Sequence, residues 1–206
     1  MITFAIDFVD PESYLAFRPT IRLAEELQVD LDVVPYRLIA RSVSKSDSGG
    51  EETVGERHAR VRANYRKTNL RRYFARQGLS YREISGIDST QGLSSRETSG
   101  IDSTPALEGL LKARHAKKGI QYASTVFDRF WSNSIDLSFN SVAEVLDQLC
   151  IGDESFEDLL VCRERLTNLG VFSAPMYVVA DQVFMGRQHL PMIRWILTGQ
   201  NGVPPL

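Results

Sequence analysis

The stretch FAIDFVDPESYLAF, residues 4–17, decides the fold because it joins two elements of different periodicity. Ile2 to Val9 is rich in β-branched and aromatic residues, which predicts a buried strand. Asp10 then occupies a helix N-cap position, and Pro11 follows at the first helical position, where a missing N–H costs nothing. We therefore expect a strand that leads directly into a helix.

The residues after this junction predict a β-α-β unit. Apolar residues at spacings of three and four continue the helix, and Pro19 inside that pattern should kink it. Val29 to Arg37 alternates between apolar and polar residues and predicts a second strand. A helix of this length can cross over between two parallel strands.

Helical patterns fill the middle of the chain, and a hairpin pattern follows them. The predicted helices cover residues 54–76, 104–115, 120–130, 142–149 and 154–169. Residues 174–186 predict two strands around an Ala180-Asp181 turn, and a last helix is expected at 190–197. In outline the chain is β-α-β, about five helices, and then β-β-α.

Composition and charge exclude several classes of protein. The 206 residues can bury one full core, and their 43% hydrophobic and 24% charged content is ordinary for a globular protein. No apolar run approaches the ~20 residues of a membrane span, and the pattern of the first residues is not the one expected of a secretory leader. A net charge of -2 gives no global attraction to nucleic acid.

The cysteines and histidines predict neither a redox pair nor a metal site. Cys150 and Cys162 form no Cys-x-x-Cys motif, and the three histidines have no ligand spacing. We expect two packed thiols in a protein of the reducing cytoplasm.

A tandem duplication lies near the middle of the sequence. QGLSYREISGIDST at 77–90 is followed directly by QGLSSRETSGIDST at 91–104. Two short Gly/Ser-rich copies are too few for a solenoid, and a longer surface loop costs only about 0.6 kcal/mol per doubling. We expect one copy to be dispensable.

The segment before the duplication is strongly basic. Between Arg57 and Arg76 there are eight Lys or Arg residues and no acid. A solvated helix face balanced by acids elsewhere is the plain interpretation. An electrostatic attraction for an anionic ligand is the alternative.

Four segments in this order resemble one enzyme group. FAIDFVDPESYLAF is similar to the opening of the kappa-class glutathione transferases and 2-hydroxychromene-2-carboxylate isomerases, and residues 170–190, GVFSAPMYVVADQVFMGRQHL, are similar to their closing block. Residues 64–80 and 103–113 resemble their inserted helices. The resemblance implies an α/β protein of the DsbA-like thioredoxin-fold superfamily, with a thioredoxin-like domain at 1–41 and 170–206 and a helical insertion at 42–169 that includes the duplicated loop 77–104.

The same resemblance implies a glutathione site between the first helix and a cis-proline loop. Pro175 matches the cis-proline position, and Ala174 would offer its backbone to the peptide-like ligand. Pro11 would lie at the helix start, whose free N–H groups favour anions. The family's Gly-Gln-Asp-Arg segment, which receives the γ-glutamyl group, corresponds to Gly186, Arg187, Gln188 and His189.

The sequence departs from the family at the reactive position. The family's sulfur-binding serine, or the attacking cysteine of the disulfide oxidoreductases, is replaced by Asp10, while Ser13 matches the second family serine. Two like charges 4 Å apart repel by ~4 kcal/mol at an effective dielectric of 20, and a helix terminus returns only ~0.3–2 kcal/mol to an anion. Asp10 should therefore raise the pKa of a nearby thiol by roughly three units.

Two functions follow from these residues. The first is a glutathione-dependent isomerase or transferase of the 2-hydroxychromene-2-carboxylate isomerase type, with glutathione as co-substrate, Asp10 and Ser13 as catalytic residues and an aromatic-derived substrate. The alternative is a non-catalytic thioredoxin-fold binding module that uses the groove at Pro175. Disulfide exchange lacks a cysteine at both positions. We expect no metal, nucleic-acid or membrane partner, and a homodimer as the assembly if there is one.

Overall fold

The computed structural model describes residues 1–38, 53–82, 101–155 and 157–205. Its strands are β1 (Ile2–Ile6), β2 (Leu31–Pro35), β3 (Met176–Val179) and β4 (Gln182–Met185). Its helices are α1 (Pro11–Leu27), α2 (Val54–Gln77), α3 (Thr104–His115), α4 (Gly119–Trp131), α5 (Phe139–Gln148), α6 (Leu159–Asn168) and α7 (Leu190–Leu197). A short 3-10 turn, Arg187–His189, precedes α7.

The four strands form one mixed sheet in the order β2-β1-β3-β4. β1 pairs with β2 in parallel, from Ile2 opposite Leu31, and pairs with β3 in the antiparallel sense, with Ala5 opposite Met176. This order confirms the predicted β-α-β and β-β-α units and the thioredoxin fold with a helical insertion.

The core lies on the central strand and the elements packed against it. All five residues of β1 are buried, and Phe4 stacks on Tyr177 of β3 with ring centroids 4.7 Å apart. α1 packs against α7, while α3, α4 and α6 contact β2. Central placement of β1 fixes the point at which the chain leaves the sheet toward α1.

The described residues form two compact units. One contains residues 1–37 and 102–206, and the other contains 38–101. The predicted division at 41/42 and 169/170 follows chain topology instead, and it stays a prediction about domain organisation. Most of the duplicated loop, residues 83–100, lies outside the described residues, so the dispensability of one copy also stays a prediction.

Several boundaries differ from the sequence-based ones for local reasons. α1 contains Pro19 within a single helix, and the kink expected there stays a prediction. α6 begins at Leu159 and not at 154, because Asp158 caps it by accepting a hydrogen bond from the N–H of Val161. The hairpin turn at Ala180 and Asp181 has positive φ at both residues, as a type I′ turn requires.

The second unit contains the longest helix. α2 begins with a capping box in which Thr53 and Glu56 each accept a hydrogen bond from the other's backbone N–H. It ends at Gln77, and the C-cap residue Gly78 has a φ of 64°, which suits a residue without a Cβ. Phe74 contacts the edge of Tyr81 with ring centroids 5.0 Å apart.

None of the helices in the described part of the chain combines the length and the apolar character needed to cross a bilayer.

Candidate functional site

Asp10 closes the N-terminus of α1 with its own carboxylate. Its Oδ2 accepts hydrogen bonds from the backbone N–H of Ser13 and from the Ser13 hydroxyl, both at 2.7 Å. Only 4% of Asp10 is exposed and Ser13 is fully buried. The helix terminus that the sequence suggested as an anion site therefore already holds an anion supplied by the protein.

A second acidic residue, Asp7, stabilises the same turn, and it was not among the site residues predicted from the sequence. Asp7 is fully buried, its N–H donates to Ser13 Oγ over 3.4 Å, and its Oδ1 accepts from the N–H of Val9 over 3.3 Å. Its position in an otherwise apolar strand end, AIDFV, was the available signal, because a buried carboxylate requires hydrogen-bond donors. The Ser13 hydroxyl thus accepts a hydrogen bond from the backbone N–H of Asp7 and donates one to the carboxylate of Asp10.

An aromatic cluster on α4 holds the loop between β1 and α1. The indole N–H of Trp131 donates to the carbonyl oxygen of Phe8 over 3.1 Å. Its ring stacks on Tyr14 at 5.7 Å, and Phe127 of the same helix contacts Phe8 at 4.8 Å. The loop that delivers Asp10 is consequently fixed by residues more than 100 positions away in sequence.

Tyr14 connects α1 to α4 through a polar contact at the edge of this cluster. Its hydroxyl donates to Asp128 Oδ1 over 2.8 Å, and the same oxygen accepts from Arg18 over 2.9 Å. Burial, together with the bond to Asp128, raises the pKa of Tyr14 well above its usual value. The phenol therefore stays protonated and serves as a donor.

The segment at Ala174 and Pro175 enters β3 beside the end of β1. Both residues are buried, and the peptide bond between them is cis. Because Ala5 pairs with Met176 in an antiparallel register, the C-terminal end of β1 and the N-terminal end of β3 meet at one edge of the sheet. The start of α1 and Pro175 accordingly lie at the same end of the sheet.

The C-terminal end of β4 lies at this end of the sheet as well. Met176 pairs with Met185, and the N–H of Gly186 donates to the carbonyl oxygen of Pro175 over 2.9 Å. Gly186 has a φ of 83°, and a Cβ there would lie 2.3 Å from Oε1 of Gln188. The positive φ favours glycine at this position, whereas the Gln188 amide is the end of a flexible side chain and could move aside.

Gln188 and His189 are already engaged within the protein. Gln188 donates its side-chain N–H to the carbonyl oxygen of Met185 over 2.7 Å, and the His189 ring lies 5.9 Å from Phe184. The segment at 186–189 thus begins at the sheet end shared with Pro175. Its amide side chain is folded back on the hairpin in this structure.

The two cysteines differ in their surroundings. Cys162 is buried and close to the carbonyl oxygen of Pro35 at 3.8 Å, whereas Cys150 is exposed. Burial and the neighbouring Glu157 raise the pKa of the Cys162 thiol to about 11. In the described residues no group of three or more His, Cys, Asp or Glu side chains could hold a metal ion.

The cysteines give a direct chemical prediction. Because a pKa near 11 leaves about one Cys162 thiol in a thousand ionised at pH 8, the native protein should react quickly with one equivalent of dithionitrobenzoate, through Cys150. In guanidinium chloride both thiols should react. Two fast equivalents in the native protein would mean that Cys162 is accessible.

Comparisons with solved structures identify the architecture. A 2-hydroxychromene-2-carboxylate isomerase superposes with a TM-score of 0.67 and 19% identity, over 96% of this chain and 94% of that one. The chain has a DsbA-like thioredoxin fold. A probable DsbA oxidoreductase from Streptomyces coelicolor (TM-score 0.61, 15% identity, 100% and 92% of the chains) and the cytosolic disulfide reductase DsbM from Pseudomonas aeruginosa with GSH (0.56, 15%, 97% and 98%) are also similar.

No family model and no curated protein matches the sequence. At the start of α1, residues 10 and 13 are an aspartate and a serine.

Proposed function

We propose that this protein binds glutathione at the sheet end formed by β1, β3 and β4 and uses it as co-substrate in an isomerase or transferase reaction of the 2-hydroxychromene-2-carboxylate isomerase type. The observation that carries the proposal is the convergence, at that end, of the α1 start, the Ala174–Pro175 segment and Gly186. The similar fold of a disulfide reductase whose structure was solved with GSH supports it.

The proposed roles follow from the groups that each residue can offer. The backbone of Ala174 pairs with the glutathione peptide as an added strand would, with Pro175 and Pro11 as apolar contacts. Gln188 and His189 receive the γ-glutamyl end next to Gly186, after the Gln188 amide leaves the carbonyl of Met185. Ser13 positions the Asp10 carboxylate through its two hydrogen bonds.

The proposed chemistry is a reversible thiol addition. The glutathione sulfur forms a bond to one carbon of a conjugated double bond in an aromatic-derived substrate, and the S–H proton passes to the neighbouring carbon. The resulting single bond rotates, and the reverse elimination restores the double bond and the thiol. No net oxidation occurs, so no cysteine is required.

Asp10 changes how the thiol is used. A fixed negative charge near the sulfur favours the protonated thiol over the thiolate. The repulsion between the carboxylate and a thiolate exceeds the stabilisation that a helix N-terminus gives to an anion. In this proposal Asp10 Oδ2 accepts a hydrogen bond from the S–H group and thereby orients it. The glutathione thiol is therefore less ionised here than in a site that stabilises the thiolate, and it is a weaker nucleophile.

One observation favours a second candidate function, a binding module without catalysis. Asp10 and Ser13 satisfy each other inside the protein, and both are buried. A site of this kind could hold a thiol peptide at Ala174 without activating its sulfur. Turnover of a conjugated aromatic substrate in the presence of glutathione separates the two functions.

Calorimetric titration with reduced glutathione tests the proposal. A dissociation constant near 1 mM would stabilise the protein by about 1.4 kcal/mol at ~10 mM ligand, which corresponds to a rise in melting temperature of about 3–6 °C. The S-methyl derivative, which cannot donate to Asp10, should bind more weakly. Absence of both binding heat and a shift in melting temperature at ~10 mM would show that glutathione is not the ligand of this site.

A further inference from the structure

The exposed face of α2 carries a heptad-like row of side chains. Its members recur at alternating spacings of four and three residues: Val54, His58, Val61, Tyr65, Thr68, Arg72 and Ala75. All are exposed, and the larger apolar ones are exposed to 71% (Val54), 57% (Val61) and 68% (Tyr65). Alternating spacings of this kind keep side chains on one side of a helix, as at the a and d positions of a coiled coil.

Arginines flank this row on both sides. With Val54 at a d position and His58 at an a position, Arg57 lies at a g position and Arg62 and Arg76 lie at e positions. All three arginines are exposed. In the part of the chain that the structure describes, no ion pair is found for these three. At e and g positions charged side chains select the partner helix by pairing across the interface.

The charges of the chain are unevenly divided. Residues 53–82 contain nine of the 24 basic residues and one of the 26 acidic ones, which leaves 15 basic and 25 acidic residues elsewhere. The local net charge is thus +8 against -10 for the remainder. The α2 face is complementary to an acidic partner, whereas the remainder repels a large anion.

We propose that the exposed face of α2 is a docking surface for an acidic amphipathic helix of a partner protein. The partner would place apolar side chains between Val54, Val61 and Tyr65 and place glutamates or aspartates opposite the flanking arginines. The polar members His58, Thr68 and Arg72 in the row weaken such a pair and fix its register. The interaction is therefore of moderate affinity and sensitive to salt.

The apolar positions distinguish this partner from a polyanion. A nucleic-acid backbone pairs with cations, but its phosphates give no favourable contact to the valines in the middle of the face. A helix offers apolar and acidic groups in the same spacing as α2. The acidic remainder of this chain acts against long polyanions and much less against a short helix.

Fluorescence anisotropy with a synthetic helix tests the proposal. The probe is as long as α2 (24 residues), with leucine at a and d positions and glutamate at e and g positions; its own charges prevent it from pairing with itself. A second peptide has lysine in place of glutamate. Binding of the glutamate peptide at micromolar concentration, weakened at ~0.5 M salt, and no binding of the lysine peptide are expected.

Charge reversal supplies the decisive comparison. R62E/R76E should bind the glutamate peptide at least about tenfold more weakly and should gain affinity for the lysine peptide. R22E/K117E changes the net charge equally at exposed positions of the other unit and should bind as the wild type does. Val61→Ser should weaken binding several-fold without changing its salt dependence. Circular dichroism verifies that each variant is folded.

The contrary outcomes are equally definite. Absence of binding at ~100 µM, or equal binding by R62E/R76E, overturns the proposal. Tighter binding of a single-stranded oligonucleotide or of phosphatidylserine vesicles, lost in R62E/R76E, overturns it as well and assigns the face to a polyanion. A dimer that dissociates in R62E/R76E would show that a second copy of the chain occupies the face.

Discussion

Replacing Trp131 by alanine is expected to lower the free energy of unfolding by about 3–5 kcal/mol, the range for truncation of a buried tryptophan. Trp131 is 2% exposed, stacks on Tyr14 and donates its indole N–H to Phe8. Removal leaves a cavity under the loop before Asp10 and an unpaired carbonyl oxygen at Phe8. Guanidinium chloride unfolding at constant pH measures the change.

The Trp131→Phe variant separates packing from the hydrogen bond. It keeps an aromatic ring against Tyr14 but removes the donor to Phe8, so its cost should be nearer 1–2 kcal/mol, with part of it from lost ring volume. A loss below about 1 kcal/mol for Trp131→Ala would contradict the packing described here. It would mean that the loop holds its shape without α4.

Replacing Asp10 by serine is expected to increase glutathione-dependent turnover by at least tenfold. The substitution removes the negative charge that disfavours a thiolate and places at residue 10 the hydroxyl that the resembled enzymes have there. Serine and aspartate are both good N-cap residues, so stability should change by less than about 1 kcal/mol. Initial rates with a conjugated aromatic substrate, with and without glutathione, measure the effect.

Asp10→Ala is the matched control for this substitution. It removes the charge but also the cap, and should cost about 0.5–2 kcal/mol in stability. A rise in turnover for Asp10→Ser and not for Asp10→Ala would assign the gain to the hydroxyl. No gain in either variant would favour the binding module without catalysis.

The local chemistry of the sequence was sufficient for the framework. Asp10 and Pro11 carry the signals of a helix start, and the structure places the N-cap and the first helical residue at these positions. The hairpin turn at Ala180 and Asp181 was also predicted from the sequence at the correct position. Such features depend on neighbours within a few residues, so a single sequence contains most of the information.

Long-range contacts could not be read in the same way. The Trp131 bond to Phe8 joins residues 123 positions apart, and nothing in either local pattern indicates the other. Ser13 looked like a possible hydroxyl donor to a ligand, but the fold directs its proton to Asp10. The start of α6 at Leu159 was missed because Asp153 and Ser155, upstream of Asp158, are also residue types that favour an N-cap position.

The affinity of glutathione for the wild type and for Asp10→Asn, measured by calorimetry at one pH, tests whether the ligand thiol contacts Asp10. Asparagine keeps the shape and the cap but removes the charge. If the S–H group of the ligand donates to the Asp10 carboxylate, Asp10→Asn should bind glutathione several-fold more weakly, because a hydrogen bond to a charged acceptor contributes about 1 kcal/mol more than one to a neutral acceptor. Equal or tighter binding by Asp10→Asn would contradict that placement.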